Sequence, residues 1–330
     1  MGNDDDLALS QPIDLFGRRN ANRSLGDAQV LLAEAGLRQA LGEVQGDVID
    51  RYSEAVAASQ LVETAEAQLE LTQHLLEATT RRAEGGAIPP VQVKRVNLEV
   101  QRSRQTFLLR LAAKAASWRR LAGALVVSPS QVFVADFATL PVTPVEPSRL
   151  QRQRADLLQI AAQSAIARAN IGVSQVQFSP EFEISARTSP YSYGPNQPAG
   201  LRATLSIPIF DHGRRKNDLN SGRAAVEAEE KSLADASSLA EAELDAVKLE
   251  LTAANEQREG FERLLADTRE LLRVSDVGYR EGATTLLEVL EAARALREVE
   301  ESLVESRLRV AQVQAAYLRA TGTLLQGAGR

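Results

Sequence analysis

Histidine, cysteine and paired carboxylates are the side chains that most often carry catalysis or hold metal, and this sequence offers little of them. It contains no cysteine, which removes thiolate zinc, a cysteine nucleophile and a structural disulfide. His74 and His212 each lack a second ligand at metal spacing, so no metal and no cofactor is expected. Glu181 and Glu183 stand two apart, which puts both carboxylates on one face of a strand. They could serve as an acid–base pair, or simply line a wet surface with Arg187 and Arg202. Glu288 and Glu291 are three apart and share one helix face. Arg18-Arg19 and Arg214-Arg215 offer phosphate contacts, or cations for nearby carboxylates or lipid headgroups. Nothing here assembles into an enzyme signature.

The arginine pairs point to the elements that place them. Each closes a version of one phrase, Pro-Ile-Asp-Leu-Phe-Gly-Arg-Arg at 12–19 and Pro-Ile-Phe-Asp-His-Gly-Arg-Arg at 208–215. A long polar, Ala-rich segment follows each phrase and ends at a Gly-Ala turn, Gly86-Ala87 or Gly282-Ala283. Gly17 and Gly213 are separated by the same 196 positions as Gly86 and Gly282. A fixed offset at both landmarks indicates a duplicated unit.

Both long segments read as helices. Ser24 and Asp27 mark a helix start, and no proline occurs from there to Glu84. Apolar residues step by four and three through Leu37, Leu41, Val44 and Val48, then Ala55, Ala58, Val62, Ala65, Leu69 and Leu76, with Arg51 and Thr72 as breaks. That is a coiled-coil seam, and about 60 residues at ~1.5 Å each make a rod too long for one globular core. Gly85, Gly86 and Pro89-Pro90 turn the chain into a second helix reaching about Leu121. The later half repeats this, with a return helix carrying Val289, Ala292, Leu296, Val299, Leu303, Val310, Val313, Tyr317 and Ala320, broken at Ser306. Trp118 and Tyr317 are expected to pack. Pro129, Pro141, Pro144 and Pro147 make 124–153 loop-rich, before a helix from about Ser148 to Val173.

Three stretches alternate instead. Leu7, Leu9, Ile13 and Leu15 share one side of a strand over 6–16 that Pro12 confines to an edge. Val176, Phe178, Phe182, Ile184 and Ala186 interleave with polar residues, and after a turn-rich loop at 189–200 so do Leu201, Ala203, Leu205, Ile207 and Ile209. This hairpin fits either a soluble sheet with one wet face or a transmembrane barrel with apolar residues to lipid. Three strands cannot close a barrel alone, so a membrane sheet needs strands from other copies.

Totals narrow the class further. The net charge of −6 disfavours a nucleic-acid partner. Aromatics are only 4% of a chain that is 44% hydrophobic, so small side chains must supply close helix packing. No run approaches 18 apolar residues, which excludes a membrane-spanning helix. The start, Met1-Gly2-Asn3 and three aspartates, is not a signal-peptide pattern.

The chain resembles the TolC family of outer-membrane efflux proteins. The resemblance is carried by the phrase at 12–19, by Arg154-Ala155-Asp156-Leu157, by Leu205 to Arg215 and by Gly278-Tyr-Arg-Glu-Gly-Ala-Thr-Thr-Leu-Leu-Glu-Val-Leu-Glu-Ala-Ala-Arg294. It implies a mainly α fold with a small transmembrane β part. Antiparallel coiled-coil hairpins would form a periplasmic tube, and strands would join an oligomeric barrel. The segments would be a barrel strand at 1–17, a first hairpin at 18–123, an equatorial segment and helix at 124–174, a barrel hairpin at 175–212, a second hairpin at 213–322 and a tail at 323–330. It also implies a homotrimer in outer-membrane lipid with a periplasmic extension, joined to a periplasmic adaptor and an inner-membrane pump. Set against the family pattern, the chain looks like a member without the N-terminal portion, and three such chains would give about nine strands. The implied function is a passive exit duct for small molecules or toxic compounds, opened at the helical tip by the adaptor. A type I protein-secretion duct and a non-channel coiled-coil scaffold stay open. Metal efflux would need a Met, Cys or His path, for which the chain has one Met and two His.

The resemblance also places residues. Tyr279 matches the family's gate tyrosine, while the arginine and aspartate of that network fall on Thr284 and Gln92, which are neutral. Glu288 and Glu291 match acidic positions ringing the periplasmic entrance, where repetition would concentrate cations; solvated surface glutamates are the alternative. Gly85, Gly86, Ala87, Gly282 and Ala283 would be the adaptor-contacting tips. Glu181, Glu183, Arg187 and Arg202 would face the lumen.

Overall fold

The computed structural model describes residues 7–138, 140, 142–188 and 200–324. In order they form β1 (Leu7–Ile13), α1 (Arg18–Glu84), α2 (Pro90–Leu125), a 3-10 turn at Pro129–Gln131, α3 (Pro147–Gln153), α4 (Ala155–Gln177), β2 (Glu181–Thr188), β3 (Gly200–Ser206), α5 (Arg214–Glu281) and α6 (Leu286–Thr321). The fold is mainly α with one small sheet. Two compact units divide it, Met1–Gln39 with Ser148–Leu239, and Ala40–Pro147 with Ala240–Arg330. Helices α1 and α5 each contribute to both.

In the first unit the sheet is antiparallel in the order β1-β2-β3. Register stacks Ile13, Phe182 and Leu205 in one row, and Leu9, Ala186 and Leu201 in another, with Ile184 and Ala203 between them beside Gln11. Alternation then puts Ser10, Glu183, Ser185, Arg202 and Thr204 on the other face. The apolar face is uncovered: Leu9 is 73% and Leu201 84% exposed.

The strands are shorter than alternation alone suggests. Val176 and Gln177 belong to α4, whose pattern there also satisfies helical spacing, and the Ser179-Pro180 step ends the helix because the residue before proline avoids α backbone. The hairpin therefore starts at Glu181, not 175. At the far side Ile207 and Ile209 lie beyond β3, which stops before Pro208, a residue with no N–H for the ladder. The 189–199 loop lies outside the described residues.

Helix α1 begins at Arg18, earlier than Ser24, because an aspartate caps it. Asp14 accepts from the backbone N–H of Arg18 at 2.9 Å and of Arg19 at 2.7 Å. Asp211 does the same for the second copy, accepting from Gly213 at 3.1 Å and Arg215 at 3.3 Å. The aspartate sits one position later in the second phrase, yet both carboxylates reach the orphan N–H groups because Gly17 and Gly213 take positive φ, 82° and 77°. Small residues then bring helices close. A Cβ on Gly222 of α5 would stand 2.9 Å from Ile171 Cγ1 of α4, and Arg168 on α4 pairs with Glu230 on α5 at 2.6 Å.

In the second unit α6 carries the seam nearly as read. Val289, Ala292, Val299, Leu303, Val310, Val313, Tyr317 and Ala320 are buried, Leu296 is half-buried, and the break, Ser306, is buried with its hydroxyl donating to Leu303 O. On α1 the seam differs in detail: Leu37, Leu41 and Val44 are exposed, while the buried ladder ends on Gln68, Thr72, Leu75 and Thr79. The threonine hydroxyls return hydrogen bonds to their own helix, Thr72 to Leu69 O and Thr79 to Leu75 O, which removes the cost of burying them. The 126–146 segment is pinned by two tyrosines, Tyr52 to Asp136 O and Tyr317 to Thr143 O, both 3.0 Å. Below it Leu121, Ala122, Ala55 and Val132 form a core beside Trp118, whose indole donates to Ser59.

Candidate functional site

The hairpin tips gather more of the singled-out residues than any other place. At both turns a glycine takes positive φ, Gly86 at 73° and Gly282 at 83°. Amide groups of the turn residues satisfy the last carbonyls of each helix: Ala87 N donates to Arg82 O and Ala283 N to Gly278 O. The following helices start differently. Pro90 opens α2, where its missing N–H has no cost. Thr285 and Glu288 form a reciprocal capping box at the start of α6, each side chain bonding the other's backbone N–H at 3.3 Å. Glu288 is therefore tied to the turn, while Glu291 stays exposed on the next turn.

The two tips share one apolar cluster. Leu75 of α1, Val96 of α2, Tyr279 of α5 and Leu286, Val289 and Leu290 of α6 are buried together. Tyr279 is 3% exposed, and its hydroxyl has no hydrogen-bond partner among the described residues. The Arg82 guanidinium lies 4.5 Å over its ring and donates to its backbone carbonyl. So the last turn of the first hairpin's descending helix grips the last turn of the second's. A cleft of about 480 Å³ between α1 and α5, lined by His74, Arg81, Arg82, Asp276 and Tyr279, lies against the cluster. Thr284 sits on α5: its hydroxyl donates to Ser275 O at 3.0 Å, and a Cβ on Gly278 would come within 2.7 Å of its Cγ2. Gln92 is half-buried in the first turn of α2. Among the described residues no cluster of His, Cys, Asp and Glu could hold a metal ion.

Sequence reasoning passed over three side chains here: Arg82, Glu99 and Arg294. Glu99 is buried on α2 and paired bidentately with Arg294 of α6, at 2.8 and 3.3 Å. The Arg294 hydrogen bond holds its carboxyl below the usual carboxylate range, against burial, which pushes it up. A signal existed, since Glu99 stands on the helix face of the apolar Val96 and Val100.

The strand residues separate. Glu181 pairs with Arg18 at 3.2 Å, and Arg18 also donates to Ser179 O at 2.8 Å, so Glu181 holds the sheet to the start of α1. Glu183 lies opposite Pro12 and Thr204, and Arg202 opposite Ser185. Arg187 takes its place in β2 opposite Ala8 and Gly200; its side chain lies outside the described residues.

A family model described as outer membrane efflux protein matches residues 6–125 and 147–323. The chain belongs to the outer membrane efflux protein family. Among its relatives, nodulation protein T of Rhizobium leguminosarum bv. viciae is 25% identical over 93% of this chain and 66% of its own length. The cobalt-zinc-cadmium resistance protein CzcC of Cupriavidus metallidurans is also 25% identical, over 98% of this chain and 76% of its own. The solved outer membrane protein VceC of Vibrio cholerae shares the fold with a TM-score of 0.80 at 19% identity, covering 96% of this chain and 79% of that one. The chain thus spans about two thirds to four fifths of the lengths it is compared with. This efflux-family chain has the TolC-like architecture of helical hairpins joined to a small sheet.

Proposed function

We propose that this protein is an outer-membrane exit duct of a tripartite efflux system, working as a homotrimer. The observation that carries the reading is the sheet of the first unit. It is apolar on one face, that face is uncovered, and β1 and β3 leave edges unpaired among the described residues. In lipid an open edge is intolerable, so strands of neighbouring copies complete the ring. The polar face with Glu183, Ser185, Arg202 and Thr204 then lines a wet lumen. Transport is passive. The hairpin tips, turning at Gly85, Gly86, Ala87, Gly282 and Ala283, are where a periplasmic adaptor docks and opens the mouth, with an inner-membrane pump behind it. Tyr279, Thr284 and Gln92 belong to that mouth, and Glu288 and Glu291 give it an acidic rim. Small molecules or toxic compounds are the proposed cargo; two relatives of equal identity carry names pointing to different processes, so neither selects one.

A direct test exploits the absence of cysteine. Leu205→Cys and Thr204→Cys, each labelled with a fluorophore, are placed in vesicles containing brominated lipid. The duct reading expects strong quenching at 205 and little at 204. Equal, weak quenching at both, with an oligomer that never shows heat-modifiable migration, would leave a scaffold outside the membrane.

A further inference from the structure

Glu99 is the one charged residue buried among the described residues, 4% exposed, and nothing in the reading above uses it. It lies three residues beyond Val96, and Arg294 lies four beyond Leu290, so both stand one helical turn from the cluster that joins the tips. Arg294 of α6 meets both carboxylate oxygens. Arg102, on α2 itself, approaches at 3.5 Å, and Arg297 of α6 adds a third positive charge; Glu291 acts on Arg294 from the exposed side.

Further along the same two helices the polarity reverses: Arg110 of α2 meets Glu301 of α6 at 3.2 Å. Both helices start at their own tips, so an axial slip of α6 by one heptad would bring Glu301 where Arg294 now stands, against Glu99. The slip swaps an attraction for a repulsion out of water, whereas the apolar seam alone would tolerate it. Buried ion pairs add little to stability over apolar residues, but they are costly to leave unmatched, and that makes them registers.

We propose that Glu99 and Arg294 form a clasp that holds the first hairpin against the second near the tips and fixes their axial register. Resting on the reading of the tips as the duct's mouth, it makes Glu99 and Arg294 positioning residues: opening has to release this pair. It also adds acid sensitivity, because protonating Glu99 removes the charge that Arg294, Arg297 and Arg102 share.

The test is the spacing between the hairpins. Asn97→Cys on α2 and Leu287→Cys on α6, both exposed, take spin labels in an otherwise cysteine-free chain, diluted with unlabelled protein in the assembled oligomer. The clasp expects one narrow distance distribution at neutral pH that broadens or lengthens in Arg294→Gln. Arg294→Lys restores most of it, and acid broadens the wild type but leaves Glu99→Gln, already neutral, without a pH response. If Arg294→Gln folds poorly, Arg294→Lys and the wild-type pH series still decide. Distances unmoved by acid and by both variants would overturn the clasp. Conductance of the same samples separates the two readings: spacing that changes without any change in open time keeps the clasp and removes the mouth.

Discussion

Replacing Gly278 by alanine tests whether the second tip is packed as described. Gly278 is inside α5, where alanine normally gains ~0.5–1 kcal/mol over glycine. Here the new Cβ would stand 2.7 Å from Thr284 Cγ2, 3.1 Å from its hydroxyl and 3.5 Å from its Cβ. Relieving the first two contacts displaces the Thr284 hydroxyl from Ser275 O, a bond worth about 1 kcal/mol, and overpacking of this kind adds about 1–3 kcal/mol. The net for Gly278→Ala is a destabilisation of roughly 1–3.5 kcal/mol. In a Thr284→Ala background the clashing atoms are gone and only the ordinary 3.5 Å contact is left. There the same change should stabilise, by about 0.5–1 kcal/mol, leaving a coupling of about 2–4 kcal/mol between the sites. Denaturant unfolding followed by helical circular dichroism, on the wild type, both single variants and the double variant, measures the cycle. Equal cost in both backgrounds would show that Gly278 makes no room for Thr284, and the packing argument for the second tip would fall.

Arg82→Gln loses both the stacking on Tyr279 and the bond to its carbonyl, for about 1–2 kcal/mol; a hydrogen-exchange map should show loss confined to the last turns of α1 and α5. Asp14→Ala and Asp211→Ala weaken the helix starts, read as faster tryptic cleavage at Arg18-Arg19 and Arg214-Arg215 while α2 and α6 keep their protection. For Glu99 the folded carboxyl sits below its unfolded range, so its contribution is present above about pH 4.5, the ordinary glutamate value, and is lost as pH falls through the folded value. Arg294→Gln should cost about 2 kcal/mol, less than a fully buried pair because Arg294 is 44% exposed and Arg102 remains, and it should shrink the acid limb of a stability–pH curve, because the folded carboxyl then lies closer to its unfolded value; Glu99→Gln should remove this carboxyl's part of that limb.

How much of this was legible varies with the kind of signal. Turns were read closely, because a positive φ favours glycine and the duplicated spacing marks where it occurs: Gly17, Gly86, Gly213 and Gly282 all adopt it, although His212 and Val126 do so too. The α6 seam was legible because its buried positions are apolar apart from Ser306 and the terminal Thr321. The α1 seam was less so, since Gln68, Thr72 and Thr79 are buried and a hydrophobic pattern cannot count them. Helix starts misled where a cap lay outside the helical pattern, as with Asp14. At the tips, Tyr279 and Thr284 were singled out by resemblance alone. The partners Arg82, Glu99 and Arg294 were missed because their contacts cross from one hairpin to the other, and no local spacing records that.

The duplication explains why those contacts break its symmetry. The position equivalent to Arg82 in the second copy is Gly278, and the position equivalent to Glu99 is Ala295. Two identical hairpins placed side by side would set arginine against arginine and glutamate against glutamate, and like charges meeting out of water repel. Each bond that joins the copies therefore needs one copy to change. Arg82 reaches across because its counterpart is a glycine, and that glycine in turn lets Thr284 close against α5. Glu99 finds Arg294 because the second copy has alanine where a matching glutamate would stand. The turns stayed alike because backbone geometry fixes them, while the side chains between the hairpins diverged because pairing two copies requires unlike groups.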